Sequence, residues 1–143
     1  MTVDFSNVAD PAAEQFYDLR VALDDLQVAR RFLVALEVAA KSGDWEAVYP
    51  LLASDVEWVM PKRSLSGVEA VRNDLTWASP PEKLDIEFTV GELEDSGGGR
   101  VAVNVDEVYR MKGTGAFAYA RKRRIELAIR DAKVSRYEMR IVG

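Results

Sequence analysis

Two stretches hold most of the polar chemistry in this chain: V-N-V-D-E-V-Y-R at residues 103–110 and A-Y-A-R-K-R-R-I-E-L at residues 118–127. Cysteine and histidine are both absent. Thiol nucleophiles, disulfides, Ser-His-Asp triads and nearly all zinc and iron sites are therefore excluded, and neither a metal nor a cofactor is expected. Any catalysis falls to carboxylates, tyrosine or arginine. Asp106 or Glu107, buried beside apolar groups, would have the raised pKa that a general acid or base near neutral pH needs. Arg123 has the planar fork that grips a carboxylate, enolate or phosphate. Tyr137 offers a phenol that orients a ligand carbonyl.

The balance of charge narrows the partners. A net charge of −5 opposes general nucleic-acid binding, which depends on lysine and arginine neutralising phosphates. No run of apolar residues is long enough to span a bilayer, and the first sixteen residues lack the pattern of a secretory signal, so no membrane partner and a cytoplasmic location are expected. With 48% hydrophobic and 30% charged residues in 143, the chain has the composition of one folded domain.

Helices come first in the chain. Asp10 and Pro11 open one, and Phe16, Leu19, Leu23, Leu26, Leu33, Leu36 and Ala40 recur at three- and four-residue steps, with Asp24-Asp25 as a place where it could split. Gly43 stops the run, and Asp44 predicts a short second helix to about Ala53, shortened or kinked by Pro50. D-V-E-W-V-M-P reads as a strand, K-R-S-L-S-G as a loop, and Ser66 with Glu69 as a capping box for a helix from Gly67 to Trp77. Beyond Lys83 the period becomes two, with turns at E-D-S-G-G-G-R, K-G-T-G and R-D-A-K, giving a four-strand meander plus the one earlier strand. Helices on one face of a mostly antiparallel sheet make an α+β fold.

This order, with G-D-W-E-A-V-Y-P-L-L-A-S-D-V-E-W-V-M-P, then S-G-V-E-A-V-R-N-D-L, then I-E-L-A-I-R-D-A-K-V-S-R-Y-E-M, resembles the nuclear transport factor 2-like superfamily, in particular its SnoaL-like branch. The resemblance covers about residues 25 to 142. It implies a cone, a cystatin-like α+β barrel in which a curved sheet wraps N-terminal helices around a pocket open at one end. It also implies a homodimer packed sheet on sheet. Residues 1–24 fall outside it, as an N-terminal helical extension to a domain of residues 25–143.

The superfamily includes isomerases, cyclases, epoxide hydrolases and non-catalytic proteins, so the pocket positions must decide between them. The ketosteroid-isomerase-like base, an Asp before a Pro, falls on Met60, and the helical Tyr falls near Phe32 or Leu36. The limonene-epoxide-hydrolase-like site, two Asp bridged by an Arg with a Tyr and an Asn, falls on Met139, Asp106, Val108, Trp58 and Met60. A bulge at D-E-V would bring Glu107 inward instead of Asp106. The SnoaL-like cyclase acid again falls on Met139.

These substitutions predict a largely apolar pocket lined by Phe32, Leu36, Trp58, Met60, Val108 and Met139 for a small hydrophobic oxygenated molecule. Acid–base chemistry of the cyclase, isomerase or hydrolase kind and non-catalytic binding both fit. A third reading makes the N-terminal extension and a sheet face into an interaction surface. Arg121 is expected in a solvated stripe, and Val101, Val103 and Val105 on the outer sheet face as a dimer contact. On the last strand, Tyr137, Met139 and Ile141 are expected to face the cavity, and Glu138 to face away.

Overall fold

The computed structural model describes residues 11–75 and 82–142, and in it a curved seven-stranded sheet wraps one long helix. Helix α1, Pro11–Ser42, runs unbroken through Asp24-Asp25. No glycine or proline follows Pro11 within it, so nothing removes a backbone hydrogen bond where the sequence suggested a split. Val28, Ala29, Phe32, Leu33, Leu36 and Ala39 bury one face against the sheet. Gly43 ends the helix at φ 78°, with its N–H 2.8 Å from the Ala39 carbonyl; a side chain would resist that left-handed turn. Asp10 and Trp77 lie outside the described residues.

The second helix expected up to Ala53 contracts to a 3-10 turn at Tyr49–Leu51. Pro50 fits the first turn, where its missing N–H costs nothing, and β1, Leu52–Met60, takes over at once. The K-R-S-L-S-G segment is a strand rather than a loop: β2, Arg63–Ser66, folds back antiparallel onto β1 and pairs Ser66 with Glu57. The Ser66 hydroxyl bonds the Glu57 carboxylate at 3.1 Å, where the sequence suggested a helix cap. Helix α2, Val68–Leu75, follows.

The remaining strands are β3, Leu84–Val90; β4, Glu94–Gly97; β5, Arg100–Met111; β6, Phe117–Arg130; and β7, Lys133–Ile141. Their order is β2-β1-β7-β6-β5-β3, with β4 beside β5, so part of the expected turn E-D-S-G-G-G-R is strand. β7 runs parallel to β1 and every other pairing is antiparallel. This is the α+β cone expected from the order of elements. Among the described residues no helix is long and apolar enough to cross a membrane.

Register decides which side chains meet. Val101, Val103 and Val105 of β5 are almost fully buried, and they pair with Leu127, Ile125 and Arg123 of β6. They belong to the concave core, not to an outer dimer face, because three alternating valines bury more apolar surface there than Ala102 and Asn104 between them would. Phe32, Trp58 and Tyr137 close the deep part of this core. Trp58 and Tyr137 stack with centroids 3.9 Å apart, and Phe32 meets both edge-on or tilted.

Candidate functional site

Continuing the alternation of β5 past Val105 puts Glu107 and Tyr109 on the concave face. No bulge is needed there; the register slip lies farther on, between Tyr109 and Arg110. Asp106 is exposed, and Val108 shares the outer side with its partner Glu87, so neither enters the interior as expected. The reason is parity: with the valines inward, every even-numbered residue of this stretch turns outward. The slip also pairs Phe117 with Arg110, and cross-strand partners share a face, so Phe117 leaves the side that holds Tyr119, Arg121 and Arg123.

Glu107 is 1% exposed and, among the described residues, the only charged side chain in the core. Arg121 Nε sits 3.1 Å from its Oε1, and Arg123 Nε closes on the same oxygen. The Tyr109 hydroxyl donates to Oε2 at 2.8 Å and accepts from Arg121 Nη2 at 2.9 Å. Tyr109 stacks on Tyr119 at 4.3 Å, with the Arg121 guanidinium 5.5 Å from its ring centre. Arg121 thus stands in the site rather than in a solvated stripe, because its cross-strand partner is Glu107 itself.

The electrostatics follow from this packing. Burial, then the hydrogen bond to Glu107, pushes the Tyr109 phenol up to about 12. Burial also pushes Tyr137 up to about 12, against the opposing pull of the positively charged Arg123. For Arg121, burial acts to lower the pKa, but the Glu107 carboxylate and Tyr109 outweigh it and hold the guanidinium above its ordinary value. Two guanidiniums surround one carboxylate, so the cluster has a surplus of one positive charge. That is the inverse of the two carboxylates around one arginine implied by the hydrolase-like resemblance.

Depth is graded along the strands. On β6, Tyr119 is 44% exposed, the Arg121 side chain 35%, the Arg123 side chain 19% and Ile125 buried outright, so exposure rises toward the β5–β6 turn. Met60 and Met139, both partly exposed, are the next concave positions outward from Trp58 and Tyr137. Met139 pairs with Ile125 and faces inward, whereas Glu138 pairs with Glu126 on the outer face. Leu36 and Phe32 pack in the core at the helix. Of the sequence candidates, Glu107, Arg123 and Tyr137 come together; Asp106 and Val108 do not join them.

The outer face is charged. A groove of about 290 Å³ there is lined by Arg100, Arg124, Glu126, Arg136 and Glu138 over Ala102 and Ala128. Arg124 pairs with Glu94 at 2.7 Å, Arg140 with Glu126 at 3.1 Å, and Arg136 with Glu138 at 3.5 Å. Among the described residues no cluster of three or more Asp or Glu is placed to hold a metal ion.

Sequence reasoning passed over Tyr109 and Arg121 as site residues. The three alternating valines were the available signal: once Val101, Val103 and Val105 are turned inward, Glu107, Tyr109 and, across the ladder, Arg121 follow.

No protein-family model matches the chain, and no curated protein matches it. Solved structures do. A nuclear transport factor 2-like protein from Anabaena variabilis superposes with a TM-score of 0.68 at 14% identity, covering 84% of this chain and 90% of that one. A limonene-epoxide-hydrolase-like epoxide hydrolase from M. tuberculosis superposes at 0.62 and 11% identity, covering 84% of each chain. A ketosteroid isomerase-like fold from Catenulispora acidiphila, in complex with trimethylamine, superposes at 0.57 and 15% identity, covering 76% of this chain and 83% of that one.

Proposed function

On a nuclear transport factor 2-like fold whose concave face holds one carboxylate between two guanidiniums, we propose that this chain binds a small, mostly apolar molecule through a negatively charged oxygen. The surplus positive charge of Arg121, Arg123 and Glu107 is the observation that carries this reading. Glu107 accepts from Arg121 and Tyr109 and pairs with Arg123, so most of its lone-pair sites are committed. It acts as the fixed counter-ion that orients the two forks, and their outward edges, part exposed toward the mouth, receive the ligand. Met60 and Met139 supply adaptable apolar contact for the rest of the molecule.

The test is a ligand screen by thermal shift. Hydrocinnamate and valerate are expected to raise the melting temperature, and their amides and trimethylamine to leave it unchanged. Arg123→Met is expected to remove the response. Equal stabilisation by the amides, or an undiminished response in Arg123→Met, overturns the reading.

One contact favours a second reading, acid–base catalysis. The Tyr109 hydroxyl hydrogen-bonded to Glu107 forms a proton-carrying couple inside the cone. In that case Glu107→Gln would still bind the ligand but fail to turn it over; loss of binding instead argues for the counter-ion role.

A further inference from the structure

Trp58 is 2% exposed, yet among the described residues its indole Nε1 is buried with no hydrogen-bond partner. Buried donors are nearly always satisfied, and an exception calls for a physical reason. The neighbours of Trp58 give one. The indole stacks on Tyr137, Tyr137 lies within the electrostatic reach of Arg123, and Arg123 pairs with Glu107, so the unpaired N–H belongs to a side chain packed directly behind the charged cluster. Met60 and Met139, both partly buried, are the next concave positions beyond the stacked pair on β1 and β7. Both are unbranched and flexible, and can swing aside to admit a ligand.

We propose that Trp58 is a ligand-binding residue whose indole N–H donates to a second, neutral oxygen of the bound molecule. This rests on the oxyanion reading above and sharpens it. The surplus of one positive charge takes a monoanion, and the indole takes a carbonyl, so the ligand class is an apolar monocarboxylate that also bears an oxo group. Arginine alone recognises the acid; Trp58 distinguishes an oxo acid from a plain one. A site built to hydrogen-bond an oxygen discriminates against the analogue lacking it, because the donor is then left unpaired.

The test uses matched probes on the full chain: phenylpyruvate against hydrocinnamate, and levulinate against valerate, with affinities from calorimetry. The wild type is expected to prefer at least one oxo acid by roughly tenfold, the worth of one well-placed hydrogen bond. Trp58→Phe keeps an aromatic ring and removes the donor; it is expected to bind both members of that pair alike, at the affinity of the plain acid. In the wild type with isotope-labelled tryptophan, the Trp58 indole N–H resonance is expected to move downfield with the oxo acid only, a readout that does not depend on the variant folding. Preference retained in Trp58→Phe, or carboxylates bound with no oxo preference and no indole shift, overturns the Trp58 assignment alone. Failure of every carboxylate to bind overturns the oxyanion reading with it.

Discussion

Arg123 stands opposite Val105 across the β5–β6 ladder, yet its guanidinium closes diagonally on Glu107, whose direct partner is Arg121. One carboxylate thereby organises two arginines from successive inward positions of one strand. The geometry depends on long side chains reaching one pair along the ladder, a distance that aromatic and arginine side chains span and shorter ones do not.

Glu107→Gln is expected to destabilise the protein by about 2–3 kcal/mol, because it removes the charge that holds two partly desolvated guanidiniums together. Both arginines retain some exposure, which keeps the effect toward the low end for a broken buried pair. Asp106→Asn, one residue away and exposed, is expected to change stability by less than about 0.5 kcal/mol. Urea denaturation midpoints compare the two; equal effects would contradict the inward parity of Glu107.

Tyr109→Phe deletes a hydroxyl that donates to Glu107 and accepts from Arg121. A cost of about 1–2 kcal/mol is expected, since both partners are left short of a bond. Tyr119→Phe keeps the ring stack on Tyr109 and is expected to be close to neutral, its side chain being well exposed. The contrast is read from unfolding curves of the two variants.

Stability is expected to fall on the alkaline side. Tyr109 and Tyr137 are both raised to about 12, above the ordinary value of 10. The folded state therefore keeps protons that the unfolded chain releases, so their contribution is whole below pH 10 and is lost as pH rises toward 12. The fully buried Tyr137 phenol accounts for a loss on the order of 2–3 kcal/mol across that window, and Tyr109, nearer the solvent, for a smaller one. Denaturation midpoints at successive alkaline pH values measure it. Tyr137→Phe is expected to flatten the decline, and an unchanged slope would contradict the burial of its phenol.

Gly99→Ala is expected to be among the costliest single-methyl changes. Gly99 sits at φ 77°, and a Cβ there would lie 2.4 Å from the Ile129 carbonyl oxygen, while the Gly99 carbonyl accepts the Ile129 N–H at 2.7 Å. Both the backbone conformation and the approach of β6 require glycine, so a loss of at least about 2 kcal/mol is expected. Gly98→Ala, at φ 63° with nothing near its added methyl, carries only the conformational part. Thermal unfolding of the pair separates contact from conformation.

The sequence by itself determined the architecture. A long uninterrupted run of three- and four-residue spacing makes α1, and the change to period two after Lys83 makes the strands, because each pattern is the condition for burying one face of its element. It also gave the cast for the site, since a chain without cysteine or histidine leaves Glu107, Arg123 and Tyr137 among few candidates. Local signals misled where a neighbour outside the local stretch competed: β1 claimed residues expected in a helix, and K-R-S-L-S-G became a strand because β1 offered it an edge.

Tertiary structure alone decided the parity of β5 and with it the character of the interior. Whether Asp106 or Glu107 turned inward depended on which face of the strand met α1, and a shift of one residue exchanges every side chain between core and solvent. The valines settled that choice through burial. Glu107 came inward with them, and Arg121 and Arg123 followed to satisfy it, because a carboxylate withdrawn from water requires partners of opposite charge.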